Sequence, residues 1–331
     1  ALSDPDAKVR EKALYELAET GNPDNIPGLA SFLTDKDPAT RKAALAAVNK
    51  MGVSSVQFAP EVIDTLKDKD SRLQYPAVTA LAGMGKLRKD QIPAVINLLD
   101  DKDGLVRVKA TQVLSQNREY ADLIVPAALD MMRKGSPRDK VTGMSVLGRM
   151  GPEGTKHSAE IAEMLNDGNQ QVRGGAASAL GDMGPSSKPY AGDVAKLLKD
   201  KNPNTVSQAI RALGMIGDLT DEQTMQVAAY LESRSSSLST AAVRALGLIG
   251  RVKSNTGGLI ARYLRSANPQ TRVNTMMALG DMGRNAREYA PQIAGLLGDD
   301  SPAVRMTAVK TLGGMGEAGK KEAGKIKELI S

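Results

Sequence analysis

A dipeptide recurs along this chain at one fixed interval. Met51-Gly52, Met84-Gly85, Met150-Gly151, Met183-Gly184, Ile216-Gly217, Ile249-Gly250, Met282-Gly283 and Met315-Gly316 all stand on a 33-residue grid, broken only at Asn117-Arg118. Two apolar columns share that grid. One runs Val48, Leu81, Leu114, Leu147, Leu180, Leu213, Leu246, Leu279 and Leu312; the other runs Leu33, Leu66, Leu99, Met132, Leu165, Leu198, Leu231, Leu264, Leu297 and Ile330. The first unit is two residues shorter, with Arg10 aligned to Arg41 and Gly21 to Gly52. A period held this strictly marks stacked small units, although a chain of 331 residues would ordinarily suggest two or three compact domains.

Within each unit the pattern predicts two helices. In residues 169–184, Val172, Ala176, Ala179, Leu180 and Met183 form the stripe of an amphipathic helix. The residue before this helix suits an N-cap in every unit: Asp37, Asp70, Asp103, Ser136, Asn169, Asn202, Ser235, Asn268 and Ser301. Pro38, Pro137, Pro203, Pro269 and Pro302 follow at the first helical position, where a missing N–H is harmless. The Gly of each Met-Gly pair is expected to close the helix. A shorter second helix follows, as in Pro60–Lys67, opened elsewhere by Pro93, Pro126 and Pro291. Its apolar column is Val62, Val95, Ile161, Val194, Val227, Ile260, Ile293 and Ile326. One such pair has too little interior to fold alone, so neighbours must supply the rest. The expected fold is all-α: a right-handed α-solenoid of about ten helix pairs, one continuous array over residues 1–331. Ala1-Leu2 aligns with the tail of a second-type helix, and residues 322–330 read as another. A preceding segment is therefore expected over the N-terminal face.

Composition agrees. Aromatic residues make up 3% of the chain, with two Phe, seven Tyr and no Trp. The core must therefore be built from Ala, Leu, Val, Ile and the fifteen Met, side chains suited to closely packed helices. No apolar run approaches the ~20 residues of a membrane span, and no secretory signal is visible at Ala1. The absence of Cys removes disulfides, Cys-ligated zinc and thiol chemistry, and fits an oxidising compartment as well as the slightly favoured cytoplasm. A net charge of +6 is mild for this length and leans toward an acidic partner.

Three repeat families have units near this size. The ankyrin TPLHxA tract is missing, as are the Trp and paired Tyr of the tetratricopeptide pattern. Residues 4–18 (DPDAKVREKALYELA), 166–184 (NDGNQQVRGGAASALGDMG) and 299–316 (DDSPAVRMTAVKTLGGMG) instead resemble the HEAT-repeat core, in the compact bacterial and phycobilisome-lyase-type form. The resemblance covers essentially the whole chain. It implies a ladder of Asp and Arg between neighbouring units. The Asp column here is Asp35, Asp68, Asp101, Asp167, Asp200 and Asp299, departing at Lys134, Ser233 and Ser266. The Arg column is Arg41, Arg107, Arg173, Arg272 and Arg305, with Lys140 in place of one Arg and Gln74, Val206 and Ser239 as losses. Both columns fail over residues 205–266, so the array is expected to be softest there, with a bend or contact point at Ser233–Ser239.

Candidates for chemistry are few. His157 is the only histidine, which precludes a His cluster. It shares a column with Phe58, Tyr190 and Tyr289 and reads as a ring packed over a helix start. Gly314–Lys320 has phosphate-loop spacing, but Lys321 stands where Ser or Thr is needed and a helix precedes it. The D-K-D tracts at 35–37, 68–70 and 101–103 lack the further ligands of a calcium loop. Basic clusters at Lys86/Arg88/Lys89, Arg133/Lys134/Arg138/Lys140, Arg251/Lys253 with Arg262/Arg265, and Lys320/Lys321/Lys325/Lys327 leave nucleic-acid backbone binding as an alternative. Only Tyr263 lies near to stack bases. A lyase-type, chromophore-handling role is a further alternative, with no paired acidic–aromatic site to support it. No catalytic, cofactor-binding or metal-binding residue is assigned.

The resemblance places the first helix of each pair on a concave side, and two of its columns face away from the core stripe. One is Lys42, Tyr75, Val108, Val141, Gly174, Ser207, Thr240, Val273 and Met306; the other is Ala46, Thr79, Gln112, Ser145, Ser178, Arg211, Arg244, Met277 and Lys310. The first either tucks between helices or forms a groove for an acidic amphipathic helix or a loop. The expected function is a non-enzymatic scaffold binding another protein through Tyr75, Val108, Val141, Arg211, Arg244, Val273, Met306 and Lys310.

Overall fold

The computed structural model describes residues 4–20, 29–68, 70–322 and 324. Helices and 3-10 turns are its only regular structure, with no strand among the described residues. The chain divides into two compact units, Ala1–Glu153 and Gly154–Ser331, each described here by itself. The long helices are α1 Ala7–Thr20, α2 Pro38–Met51, α3 Gln74–Met84, α4 Gly104–Gln116 and α5 Pro137–Arg149 in the first unit. In the second they are α6 Gln170–Asp182, α7 Pro203–Ile216, α8 Ser236–Val252, α9 Pro269–Asp281 and α10 Pro302–Gly314. Return helices alternate with them, mostly shorter, such as Ala59–Thr65, Ile92–Asn97, Ala191–Lys196 and Asp221–Ala228; Ala121–Lys134 is the long exception, with Pro126 inside it and not at its start.

The apolar columns form the core. Every member of the Val48–Leu312 column is buried, as is every described member of the Leu33–Leu297 column. Val62, Val95, Ile161, Val194, Val227, Ile260 and Ile293 of the return helices are all fully buried. Ile326, Ile330, Ala1-Leu2, Gly21 and the closing helix expected at the C-terminus lie outside the described residues, apart from Glu322 and Gly324.

Most caps form as the sequence predicts. Side chains of Asp37, Asp103, Ser136, Asn169, Asn202 and Asn268 accept from backbone N–H groups in the first turn of their helices. Ser235 and Ser301 stand at the N-cap without that bond; the Ser235 hydroxyl is hydrogen-bonded to the Ser237 hydroxyl instead. Gly52, Gly85, Gly151, Gly184, Gly217, Gly283 and Gly316 end their helices at positive φ, where a side chain would be strained. Gly250 does not. It lies inside α8, which runs on to Val252, and a Cβ there would fall 2.3 Å from Met282 Cγ. Its glycine serves helix contact, and the expected stop is displaced.

Asn117, where the Met-Gly pattern breaks, is fully buried and bonded three ways. Its Oδ1 accepts from Leu87 N at 2.8 Å, and its Nδ2 donates to Gly85 O at 2.9 Å and Val113 O at 2.8 Å. The departure is therefore a polar staple to the preceding turn, and no defect.

Neighbouring long helices meet through small residues. A Cβ on Gly181 would sit 2.8 Å from Ala212 Cα, and one on Gly214 would sit 2.6 Å from Ala245 Cα. Such distances require nearly bare backbone on both sides. Gly280, in the same column, has its nearest neighbour, Thr311 Cγ2, at an ordinary 3.4 Å.

The ladder exists as ion pairs: Arg10–Asp35 at 3.3 Å, Arg41–Asp68 at 3.0 Å, Arg173–Asp200 at 2.7 Å and Arg272–Asp299 at 2.6 Å. Each Asp also accepts from a backbone N–H two residues on, as Asp200 does from Asn202 N at 2.8 Å. Each Arg turns Nη1 toward a carbonyl six residues earlier, in the turn before its own helix, as Arg173 does to Asp167 O at 2.9 Å. Such pairs are half-buried networks, stronger than an exposed bridge. Where the ladder is missing, Val206 and Ser239 are buried. There the Tyr230 hydroxyl donates to Leu198 O, and Asn274 Nδ2 donates to Leu231 O at 3.1 Å across successive units. The expected softness of residues 205–266 is thus set against other cross-unit bonds.

Three outcomes follow for stability. Gly214→Ala gains ~1 kcal/mol of helix propensity but forces backbone apart at a cost of about 1–3 kcal/mol or more. It should lower the melting temperature, while Gly280→Ala should hold or raise it. Asn117→Ala should cost about 2–3 kcal/mol in denaturant titration by stranding a buried N–H and two carbonyls. The Arg173 and Arg272 guanidinium groups hold Asp200 and Asp299 below the ordinary carboxylate range, against burial that pushes both up. A depressed folded pKa stabilises fully above the unfolded value of ~3.9 and stops doing so as pH falls through the lower folded value. Stability should therefore fall as pH drops from ~3.9 through the lower folded value, and Arg173→Ala, already weakened by about 2 kcal/mol at pH 7, should show a shallower acid loss.

Candidate partner-binding face

The long helices that bury one stripe leave another in solvent, and the exposed rows differ between the units. In the first unit Val108 is 61% exposed and Tyr75 37%, whereas Val141 is half-buried. Leu105, one turn before Val108 on α4, is 60% exposed and was outside the expected columns. In the second unit Arg211, Arg244 and Lys310 are exposed, and none makes an ion pair or hydrogen bond among the described residues. Met306 is 58% exposed and Met277 48%. Val273 is buried and does not belong to an accessible face. The amide of its neighbour Asn274 bonds Leu231 O, which draws this turn of α9 against the preceding unit.

Two further residues complete the second-unit face. Met215 and Leu248 are exposed four residues after Arg211 and Arg244, so each shares a helix face with its Arg. The columns read from the sequence stopped one turn short of them. Their own column, Met215 and Leu248 at the 33-residue interval, was the available signal. Thr240 is exposed and Ser207 half-exposed on the other side of the arginines, and neither hydroxyl has a partner among the described residues. The acidic residues carried by α6–α10 are Asp182 and Asp281, at the C-terminal ends of α6 and α9.

The other basic clusters are mostly spent on structure. Lys86 pairs with Glu119 and Lys89 with Asp122, each at 2.6 Å, and Arg88 with Asp90 at 3.2 Å. Lys134 meets Asp130 at 2.6 Å, Arg138 meets Asp139 at 3.0 Å and also Asp100, and Lys253 meets Asp221 at 2.7 Å. Lys188 likewise pairs with Asp218. Several of these bridge positions 30 to 33 apart, a second ladder legible as opposite charges in one column. Arg262 lies over its neighbour Tyr263, 5.0 Å from the ring centroid, and that ring is buried and closed to a base. Lys325 and Lys327 lie outside the described residues.

The remaining motifs resolve into fold. His157, Tyr190, Tyr289 and Phe58 each precede a return helix, and the Tyr289 ring sits where a Cβ on Gly257 would go, at 2.3 Å. Gly314–Lys320 is a helix end followed by Glu317–Lys321, with Lys320 bonded to Glu317 at 2.6 Å. The D-K-D carboxylates bond their own turns and the ladder. Among the described residues no group of three His, Asp or Glu could hold a metal, and no helix is long and apolar enough to cross a membrane.

The model of the HEAT-repeat family matches residues 1–70, 158–247 and 257–328, more than half of the chain. The chain belongs to the HEAT-repeat family. No curated protein matches its sequence. Among solved structures it is similar to the karyopherin Kap121p bound to the SUMO protease Ulp1p, at 15% identity and a TM-score of 0.58, covering 99% of this chain and 42% of that one. It is also similar to importin beta, at 14% identity and a TM-score of 0.56, covering 99% and 51%. The chain thus spans about half or less of these karyopherins, and the likeness is one of fold. The CpcE–CpcF complex of phycocyanin lyase from Nostoc sp. PCC7120 matches at 20% identity and a TM-score of 0.45, covering 73% and 94%, too distant to carry an argument.

With the turn cations Lys86, Lys89, Lys134, Arg138, Lys188 and Lys253 paired and Tyr75 the one aromatic in the exposed rows, this protein should leave a heparin column at or below ~0.2 M salt. Retention far above that, falling steeply with added salt, would mark a nucleic-acid surface instead.

Proposed function

We propose that this HEAT-repeat protein is a non-enzymatic scaffold that binds another protein along the exposed face of its long helices. The observation that carries this reading is the second-unit face. Arg211 and Arg244 stand unpaired in solvent beside the exposed apolar Met215 and Leu248, on helices held together by the close contact of Gly214 with Ala245. Unpaired cations beside exposed apolar side chains on a rigid face offer both steering and anchorage to a partner. Tyr75, Leu105 and Val108 present a smaller, apolar counterpart in the first unit. Karyopherins of this fold were solved with the extreme C-terminus of the phosphatase Cdc14p and with Ulp1p bound, so such a fold can hold a protein segment.

The test is affinity capture from the source cells with the unaltered protein and with the Arg211→Glu/Arg244→Glu/Lys310→Glu variant. These side chains have no partners to lose, so the fold should melt unchanged. The expected outcome is a partner retained by the first and lost, by tenfold or more in yield, from the second. A partner held equally by both would remove the second-unit face from the reading.

A further inference from the structure

We propose that the α7–α10 face takes an extended acidic peptide, one side chain per helix, with carboxylates on Arg211, Arg244 and Lys310 and an apolar side chain on Met277. The inference rests on the protein-binding reading above and gives the partner its chemistry. Arg211, Arg244, Met277 and Lys310 occupy one column at the 33-residue interval, each on a successive long helix. Packed helices lie about 8–10 Å apart, and the near-backbone contact of Gly214 with Ala245 places α7 and α8 toward the close end of that range. The column therefore presents charge, charge, apolar, charge at steps of about 9 Å.

That step selects a conformation. A polyproline-II chain turns once every three residues and rises ~3.1 Å per residue, so every third side chain returns to one face after ~9.3 Å. A β-strand alternates faces every residue and puts side chains three apart on opposite sides. An α-helix needs about seven residues for the same distance. The polyproline-II chain also leaves its backbone N–H and C=O groups free. The unpartnered Ser207 and Thr240 hydroxyls border the arginines on one side and can meet those groups; Met215 and Leu248 border them on the other. The sign of the ligand follows from the cations, which lack counter-charges on α6–α10 except for Asp281 and Asp182 at helix ends. A nucleic-acid strand finds no exposed ring on this face for its bases. The recognised pattern is acid-x-x-acid-x-x-apolar-x-x-acid, in either chain direction.

The experiment uses the full chain and fluorescein-labelled synthetic peptides, all but the third about twelve residues long. One carries Glu at every third position with Leu in the third slot and Pro and Ser between. A second has the same composition with the three Glu adjacent. A third, about twenty-four residues long, keeps the same order of acids and Leu but spaces them seven apart in an Ala-rich helical sequence, and a fourth replaces Glu by Lys in the first pattern. Fluorescence anisotropy should show the first binding most tightly and weakening with salt, and weakening about tenfold in Arg211→Glu/Arg244→Glu. Equal binding by the adjacent-acid or helical peptide would overturn the conformational inference. Binding of the Lys peptide that survives Arg211→Glu/Arg244→Glu but is lost in Leu248→Asp/Met277→Asp would overturn the acidic partner while leaving the protein-binding face intact. Binding by none of the four would overturn the inference, and the capture experiment would still decide the face by itself. Unchanged circular dichroism and melting of each variant exclude loss of fold.

Discussion

A helix pair of 33 residues has no interior of its own, and the rest of this structure is a consequence of that shortage. Each pair buries its apolar columns only against the next, so contact between neighbours has to be dense and repeated. Density comes from removing side chains: glycine on one helix faces alanine on the next, at backbone distance. Repetition comes from the ion-pair ladder, in which one guanidinium binds the turn before its own helix with one nitrogen and the following unit's carboxylate with another. The same carboxylate orders the turn that caps the following helix. Helix start, unit boundary and neighbour contact are thus one hydrogen-bonded network.

Much of this was legible in the sequence because each role recurs in a column. The buried Leu column, the capping Asp and Asn and the positive-φ glycines each had a single physical explanation at every occurrence. What stayed hidden were roles filled once. Asn117 reads as a lapse in the Met-Gly series, and only the folded chain shows its amide reaching back to Gly85 and Leu87. Gly250 keeps the series but lies within a helix, and Met282 fills the space its side chain would take. Val273 shares a column with exposed Met306 yet is buried. Burial at a helix margin depends on what the neighbouring turn does, and the period carries no record of that.

The face followed the same division. Arg211, Arg244 and Lys310 stood out as a column turning basic, and the structure leaves them in solvent. Met215 and Leu248 lie one turn beyond the two central columns and Leu105 one turn before them, so neither column contains them. The lysines of the turns were undervalued for another reason. Their partners lie a whole unit away in sequence, beyond the three- or four-residue spacing at which helical ion pairs are usually sought.

Asn117 also bears on how such an array can change length. Ladder and core contacts link equivalent positions, so adding or removing one whole period re-pairs each residue with a counterpart of the same kind. The amide of Asn117 has no counterpart in the column; its one donor, Leu87 N, and one of its two acceptors, Gly85 O, belong to the turn at Gly85–Leu87. Duplicating or excising a unit across that junction would separate a key from its lock, whereas joints built on the ladder alone are interchangeable in their bonding. One irregular residue thereby fixes the order of its neighbours, which a ladder joint does not.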